Sequence, residues 1–223
     1  DPPPAGAPPP PGPPPPPPRR QLRNPAEPGP PSPLSTNALA ESGQREPYAH
    51  GLSRPAPLEG ECVNRVIRLA EVAEVPVYVV HLSSRDALEE VARGRERGAL
   101  AFAETCPQYL FLDLSLLDQG WEGAKYVCSP PLRPADHQEA LWHGLLRDDL
   151  QTVGTDHCPF DFVGQKDRGR DDFRQIPNGL PGVEERVDLV FQGVVAGRIT
   201  RERWVEVISA APARMFGLAG RKG

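Results

Sequence analysis

Two side chains that could bind a metal follow apolar runs with the length of buried strands. His81 ends the run in "VPVYVVHLSS", and Asp156 follows the run in "LQTVGTDHCPF". Histidine and aspartate both suit a divalent metal ion such as zinc. Each also has a plainer interpretation, as a core histidine and as an aspartate that caps a turn. Two candidate ligands do not make a metal site, so their spacing alone favours the plainer interpretation.

The elements around these two residues alternate between helix and strand. The predicted order is helix 58–73, strand 75–81, helix 86–98, strand 99–105, a helix that carries Leu141 and Leu145, and strand 150–155. Ser83 is the predicted start of the second helix, because it stands three residues before Asp86. Such alternation predicts a parallel α/β fold. In a parallel barrel, reactive side chains project from the carboxyl ends of the strands, where His81 and Asp156 stand.

A proline-rich segment precedes these elements. The chain has 223 residues and 30 prolines, with a mean hydropathy of -0.47, and the prolines are concentrated in residues 1 to 36. Such a stretch cannot bury enough apolar surface to offset the entropy lost on ordering. We therefore predict a disordered, low-complexity segment over residues 1–43, with polyproline II character. Residues 44–223 are predicted to form the folded domain.

Charge and cysteine content exclude several classes of protein. A formal net charge of -5 argues against nucleic acid as a partner. Four cysteines, Cys62, Cys106, Cys128 and Cys158, lack C-x-x-C spacing, which indicates reduced core thiols rather than disulfides or a structural zinc site. No apolar run approaches the ~18 residues of a transmembrane helix, and the proline tract lacks a secretory signal. We therefore predict a cytoplasmic protein without a membrane segment.

Several longer motifs carry a resemblance to a known family. They are "VNRVIRLAEVAEVPVYVVHLSS", "ETCPQYL", "EGAKYVCSPPLR", "TDHCPF", "IPNGLPGVEER" and "APARMFGLAGRKG". Together they resemble the dihydropyrimidinase and hydantoinase family of the amidohydrolase superfamily. The resemblance runs in order from about residue 44 to residue 223, so it covers the whole predicted domain.

The resemblance implies an enzyme with a (β/α)8 barrel that hydrolyses cyclic amide bonds. Its substrates would be small cyclic ureides, dihydropyrimidines or 5-substituted hydantoins, opened by a metal-bound hydroxide. The family site holds two zinc ions bridged by a carboxylated lysine, and the family enzymes are homo-oligomers, usually tetramers. Carried over by motif, His81 would bind one zinc, and Asp156 would bind the other and move the catalytic proton. Ser129 and Asn178 would bind the amide groups of the substrate.

This chain departs from the family pattern over the first part of the barrel. The family's His-x-His pair, its bridging lysine and its "HAE" histidine have no counterpart, and the sequence has three lysines in total, Lys125, Lys166 and Lys222. What remains corresponds to about the last three strands of the barrel, preceded by the proline-rich segment. We therefore interpret the chain as a fragment of a cyclic amidohydrolase that is inactive by itself.

The alternative is a non-catalytic interaction protein, in which a proline-rich arm extends from an incomplete barrel. The run "PPPPRR", residues 15 to 20, fits a P-x-x-P-x-R ligand of an SH3-type partner. Any long proline run before arginine satisfies this pattern by chance. Non-enzymatic relatives of the family lose the metal-binding residue types in these motifs, whereas His81 and Asp156 are present here, which favours the enzyme.

Overall fold

A parallel sheet of four strands forms the centre of the fold in the computed structural model, which describes residues 22–25 and 31–222. The strands are β1 (Leu22–Pro25), β2 (Val77–Val80), β3 (Ala101–Thr105) and β4 (Thr152–Val153). They lie in the order β1-β2-β3-β4, and every neighbouring pair is parallel. Helices connect successive strands, so the predicted parallel α/β fold is confirmed.

The α-helices in the described ranges differ widely in length. They are α1 (Pro31–Glu41), α2 (Pro47–Leu52), α3 (Ala56–Ala73), α4 (Arg85–Glu96), α5 (Pro107–Phe111), α6 (Asp136–Arg147), α7 (Arg186–Val195), α8 (Arg201–Val205) and α9 (Ala211–Met215). Short 3-10 helices span Leu114–Leu117, Glu122–Tyr126, Lys166–Gly169 and Phe173–Gln175, and a π-helical turn, Glu206–Ala210, joins α8 to α9. None of these described helices has the length and apolar character needed to cross a membrane.

The two faces of the sheet have different roles. Side chains that alternate along β2 and β3 enter the main core beneath α3, α4 and α6; they are Val77, Val79, Ala101 and Ala103. The intervening residues, Tyr78 and Glu104, belong to the opposite face, and Glu104 is in register with Thr152 of β4. One face of the sheet is therefore an apolar layer, and the other carries the polar groups next to the strand ends.

Two glycines allow the outer helices to approach one another closely. A Cβ atom at Gly94 of α4 would lie 2.7 Å from Cγ2 of Ile67 in α3. A Cβ atom at Gly144 of α6 would lie 2.8 Å from Cδ2 of Leu88 in α4. Real Cβ atoms do not approach other carbons so closely, so at either position a larger residue would force Ile67, Leu88 or the helices themselves to shift.

The structure differs from the prediction over residues 22–25 and over part of residues 31–43. Residues 1–21 and 26–30 lie outside the described part, but β1 pairs with β2, and α1 forms where no regular structure was predicted. Thr36 and Ala40 are buried, and Ala40 belongs to a second apolar cluster with Ala49 and Phe173. Composition could not reveal this helix, because the groups that bury it come from distant parts of the chain.

Several element boundaries also differ from the prediction. Strand β4 has two residues rather than six, and β1 adds a fourth strand to the three predicted. Ser84, not Ser83, caps α4, because its hydroxyl accepts a hydrogen bond from the backbone N–H of Ala87. Ser83 is engaged elsewhere, as described below.

Candidate functional site

Both predicted metal ligands follow strands, His81 directly after β2 and Asp156 three residues after β4, and both have unusual backbone conformations. Among the described residues, four that are not glycine have positive φ angles: Glu74, His81, Asp148 and Asp156. Glu74 and Asp148 follow the last turns of α3 and α6, where a left-handed residue is common. His81 (φ 42°) and Asp156 (φ 49°) follow β2 and β4 instead. Strained backbone at strand ends is typical of functional positions.

Strand β3 holds the turns that carry these two residues. The backbone N–H of Leu82 donates to the carbonyl of Glu104 (2.8 Å), and the Thr105 hydroxyl donates to the carbonyl of Leu82 (2.8 Å). The N–H of Gly154 donates to the carbonyl of Thr105 (2.9 Å). The N–H of His81 makes a longer contact with the Glu104 carboxylate (3.4 Å). The end of β3 therefore fixes both turns relative to each other.

A polar cluster lies between these turns on the second face of the sheet. The Tyr78 hydroxyl donates to Oε2 of Glu104 (2.6 Å) and lies 2.7 Å from the hydroxyl of Thr152. Burial, with the Glu104 carboxylate beside it, raises the pKa of Tyr78 far above its usual value. Tyr78 therefore remains protonated and continues to donate to Glu104.

His81 has a ring nitrogen that needs a partner. Its Nδ1 atom is buried and has no hydrogen-bond partner in the structure. An imidazole nitrogen is either a donor or an acceptor, so burial without a partner carries a cost. Within the described residues, no group of three His, Cys, Asp or Glu side chains could hold a metal ion. The two predicted ligands, His81 and Asp156, therefore do not form a metal site by themselves within the described part of the chain.

The two predicted substrate-binding residues are in direct contact. Nδ2 of Asn178 donates to the Ser129 hydroxyl oxygen at 3.2 Å, although 49 residues separate them. Asn178 is exposed and Ser129 is half-buried. The side-chain carbonyl oxygen of Asn178 can still accept from a donor, and the Ser129 hydroxyl can still donate to an acceptor. An amide group of a cyclic ureide has this combination of donor and acceptor.

Asp156 lies close enough to this pair to affect its neighbour electrostatically. Burial raises the pKa of the Cys128 thiol to about 12; the Asp156 carboxylate adds to the rise, and the Lys166 ammonium opposes it. Cys128 directly precedes Ser129, so Asp156 acts on the segment that carries the predicted substrate-binding hydroxyl. The Asp156 side chain itself is exposed.

The segment before Ser129 is held by a histidine that the sequence did not single out as functional. Nε2 of the buried His50 donates to the carbonyl of Cys128 (2.8 Å), and Nδ1 accepts from Arg54 (3.1 Å). Burial, reinforced by the Arg54 charge, lowers the pKa of His50 to about 3. His50 is therefore neutral, with its proton on the nitrogen that supports Cys128.

We expect the folded state to lose stability on acidification because of His50. Its native pKa of about 3 lies below the ordinary value of 6.5, so below pH 6.5 the unfolded chain binds the proton first. From about pH 7 to pH 5 this should cost on the order of 2 kcal/mol. The variant His50→Gln keeps a hydrogen-bond donor but does not titrate, so its unfolding free energy should fall by about 2 kcal/mol less over the same pH range. Urea unfolding of both proteins at the two pH values measures this, and equal losses would contradict it.

A buried ion pair connects the His81 turn to the Ser129 segment. The Glu59 carboxylate accepts from the N–H (2.8 Å) and hydroxyl (2.7 Å) of Ser83, two residues after His81. Arg133 donates to Oε2 of Glu59 (3.0 Å) and to the Ser83 hydroxyl (2.9 Å), and it also donates to the carbonyl of Arg54. Glu59 is 0% exposed and Arg133 is 6% exposed.

Two other residues near Asp156 differ in their roles. His157 accepts at Nδ1 from the N–H groups of Gly182 (3.1 Å) and Val183 (3.2 Å), so it orders the loop after Asn178. Cys158 was predicted to be a core thiol, but it is exposed, because the chain leaves the sheet before Pro159. Cys62, Cys106 and Cys128 are buried, as predicted.

Comparison with known proteins shows extensive similarity to one group of enzymes. No family model matches the chain. The D-hydantoinase of Streptomyces coelicolor is 57% identical over 191 residues, which are 85% of this chain and 41% of that protein. The D-hydantoinase of Geobacillus stearothermophilus is 48% identical over 200 residues, which are 89% of this chain and 42% of that protein. The chain thus spans about two fifths of the length of these relatives.

A solved structure agrees with the sequence comparison. The dihydropyrimidinase from Brevibacillus agri NCHU1002 is similar to this chain with a TM-score of 0.89 and 43% sequence identity. The similarity covers 91% of this chain and 44% of that one. The fold and the sequence are therefore similar to the same group of proteins over nearly all of the chain.

Proposed function

We propose that this chain, which is similar to D-hydantoinases and to a dihydropyrimidinase over nearly all of its length, belongs to that family and is part of a cyclic amidohydrolase with a (β/α)8 barrel. The proposed reaction opens the ring of a dihydropyrimidine or a 5-substituted hydantoin by hydrolysis of a cyclic amide bond. The observation that carries the proposal is the direct contact of Ser129 with Asn178, near the Asp156 carboxylate. The identity of 57% to a D-hydantoinase supports it.

The proposed roles follow from the chemistry of these side chains. Asp156, exposed at the end of β4, would take a proton from the attacking water and return it to the departing ring nitrogen. Ser129 and Asn178 would orient the ring by hydrogen bonds to one of its amide groups. The close contact between these two residues supports a shared binding role, since one amide presents a donor and an acceptor side by side.

Zinc is the proposed metal, with His81 and Asp156 as ligands from this chain. The buried, unpartnered Nδ1 of His81 and the exposed carboxylate of Asp156 suit this role. When bound, zinc would acidify a water molecule and polarise the ring carbonyl. Because catalytic zinc takes about three protein ligands, the remaining ligands must come from residues other than those described.

We expect ring opening to require the part of the enzyme that this chain does not cover. The 223-residue chain with excess zinc should hydrolyse neither dihydrouracil nor hydantoin above background, because His81 and Asp156 are too few ligands. Co-expression with the part of the Streptomyces coelicolor D-hydantoinase that the chain does not match should restore turnover. Ultraviolet absorbance follows the opening of the ring in both preparations. We call the second preparation the completed enzyme.

A matched pair of histidine variants makes this experiment specific. In the completed enzyme, His81→Asn should remove turnover, whereas His143→Asn on the exposed face of α6 should leave it unchanged. A completed enzyme that folds and binds zinc but opens neither ring would overturn the proposed activity. It would favour the non-catalytic interaction protein instead.

Further expectations about the whole protein stay predictions. They are a homo-oligomeric state, a cytoplasmic location, and an SH3-type partner for the proline tract, which lies outside the described residues. The choice between dihydropyrimidine and hydantoin as substrate belongs to the part of the family enzymes that this chain does not cover.

A further inference from the structure

One buried lysine joins the two segments that carry Ser129 and Asn178. The Lys166 ammonium donates to the carbonyl of Val127 (2.9 Å) and to the carbonyl of Pro177 (3.2 Å). Val127 stands two residues before Ser129, and Pro177 directly precedes Asn178. Lys166 is 3% exposed, so water does not compete for these bonds. The buried ammonium therefore links the two segments through one carbonyl of each.

Other contacts make this junction well defined. The N–H of Gly179 donates to the same Val127 carbonyl (3.0 Å), and Asn178 donates to Ser129 (3.2 Å). His50 holds the intervening carbonyl of Cys128 (2.8 Å). The two carbonyl groups before Ser129 therefore both accept hydrogen bonds. The Val127 carbonyl accepts from Lys166 and also from Gly179 of the other segment.

The surroundings of Lys166 do not favour a buried charge. No carboxylate in the described part of the chain is paired with it, and the groups that face it are the Cys128 and Cys158 thiols and the Phe160 ring at 6.0 Å. Burial lowers the pKa of Lys166 to about 8. A desolvated ammonium without an acidic partner costs stability, so packing does not explain its presence.

We propose that Lys166 is a positioning residue, which sets the distance between Ser129 and Asn178 to match an amide group of the substrate. This inference rests on the proposed function, because it assigns the substrate to the pair that Lys166 holds. Lys166 touches backbone carbonyls rather than the substrate, so it acts through Ser129 and Asn178. Two hydrogen bonds from one nitrogen make the two segments move as a unit.

The first test is kinetic and uses the completed enzyme. Lys166→Met should raise KM for the ring substrate more than it lowers kcat, with kcat/KM reduced about 10- to 100-fold, since small misplacements of binding groups have effects of this size. Lys166→Arg, which keeps two donors on a charged group, should recover most of the loss. Lys222→Met, at an exposed lysine, serves as the control and should leave both constants unchanged.

A double-mutant cycle separates positioning from general structural support. In a Ser129→Ala background, Lys166→Met should have a several-fold smaller effect on KM, because the group that it positions has been removed. A purely structural role predicts additive effects, and additivity would overturn the proposal. Thermal unfolding of each variant shows whether it folds; if Lys166→Met does not, Lys166→Gln, with one shorter donor, takes its place in the cycle.

A second test does not depend on activity and uses the 223-residue chain. In ¹⁵N-labelled protein, Lys166→Met should shift the side-chain amide signals of Asn178, whereas Lys222→Met should not. Unchanged Asn178 signals would overturn the positioning role, whatever the completed enzyme does. Shifted signals with a completed enzyme that opens no ring would instead overturn the proposed function, and with it the assigned substrate.

Discussion

Asp156→Asn in the completed enzyme should lower kcat/KM for ring opening by about 10²- to 10⁴-fold, the usual contribution of a general acid and base. The substitution keeps the size and shape of the side chain but removes the carboxylate that would take up and return the proton and bind the proposed zinc ion. The left-handed backbone at Asp156 also tolerates asparagine, so the turn after β4 should stay folded. The loss should therefore appear mainly in kcat.

Steady-state kinetics with dihydrouracil and with hydantoin measure this effect. The matched control is Asp161→Asn, which removes an exposed carboxylate from the same loop and should leave the rate unchanged. A rate within a few fold of the unmodified enzyme would show that Asp156 moves no proton in the reaction. A similar loss in both variants would indicate an effect of loop charge rather than of one catalytic group.

Arg133→Met should destabilise the protein by about 3–5 kcal/mol, the range found when one partner of a buried ion pair is removed. The Glu59 carboxylate would then keep its two hydrogen bonds from Ser83 but lose the opposite charge, in a position that is 0% exposed. Unpaired buried carboxylates are among the most costly groups in a protein interior. The replacement has a similar length, so the cavity that it leaves is small.

Urea unfolding of the 223-residue chain at neutral pH measures this difference in free energy. Arg65→Met is the matched control, because Arg65 pairs with Glu61 on the surface of α3 with both side chains about half exposed; its cost should stay below about 1 kcal/mol. The double variant Glu59→Leu with Arg133→Met should be more stable than Arg133→Met, since no charge is left unpaired. Equal costs for Arg133→Met and Arg65→Met would contradict this account.

The elements predicted from sequence are those with strong local patterns. Helix α3 and strands β2 and β3 lie where apolar spacing placed them, because each buries one face against neighbours that follow along the chain. His81 and Asp156 lie at strand ends, as predicted, since the strand pattern itself locates them. Ser129 and Asn178 were identified through family motifs. Their mutual contact could not be predicted, because 49 residues separate them in the sequence.

The supporting groups could not be predicted, because their roles depend on tertiary contacts. Glu59 stands in the first turn of α3, where acidic residues are common, and its burial depends on Arg133 from a distant loop. The proposed positioning role of Lys166 depends on its hydrogen bond to the carbonyl of Val127, which is 39 residues away in the sequence. Helix α1 was missed for the same reason, since Ala40 is buried by Ala49 and Phe173. Exposed Cys158 was misjudged, because residue type alone does not determine burial.

At the left-handed positions 81 and 156, stability and activity favour different residues. Glycine adopts such angles without a steric penalty, whereas other residues lose about 1–2 kcal/mol of stability there, and histidine and aspartate lose less than most. Selection of this protein for heat resistance without selection for turnover would therefore enrich glycine at 81 and 156. Each glycine would increase stability but remove one proposed metal ligand. The most thermostable variants selected in this way would therefore be inactive.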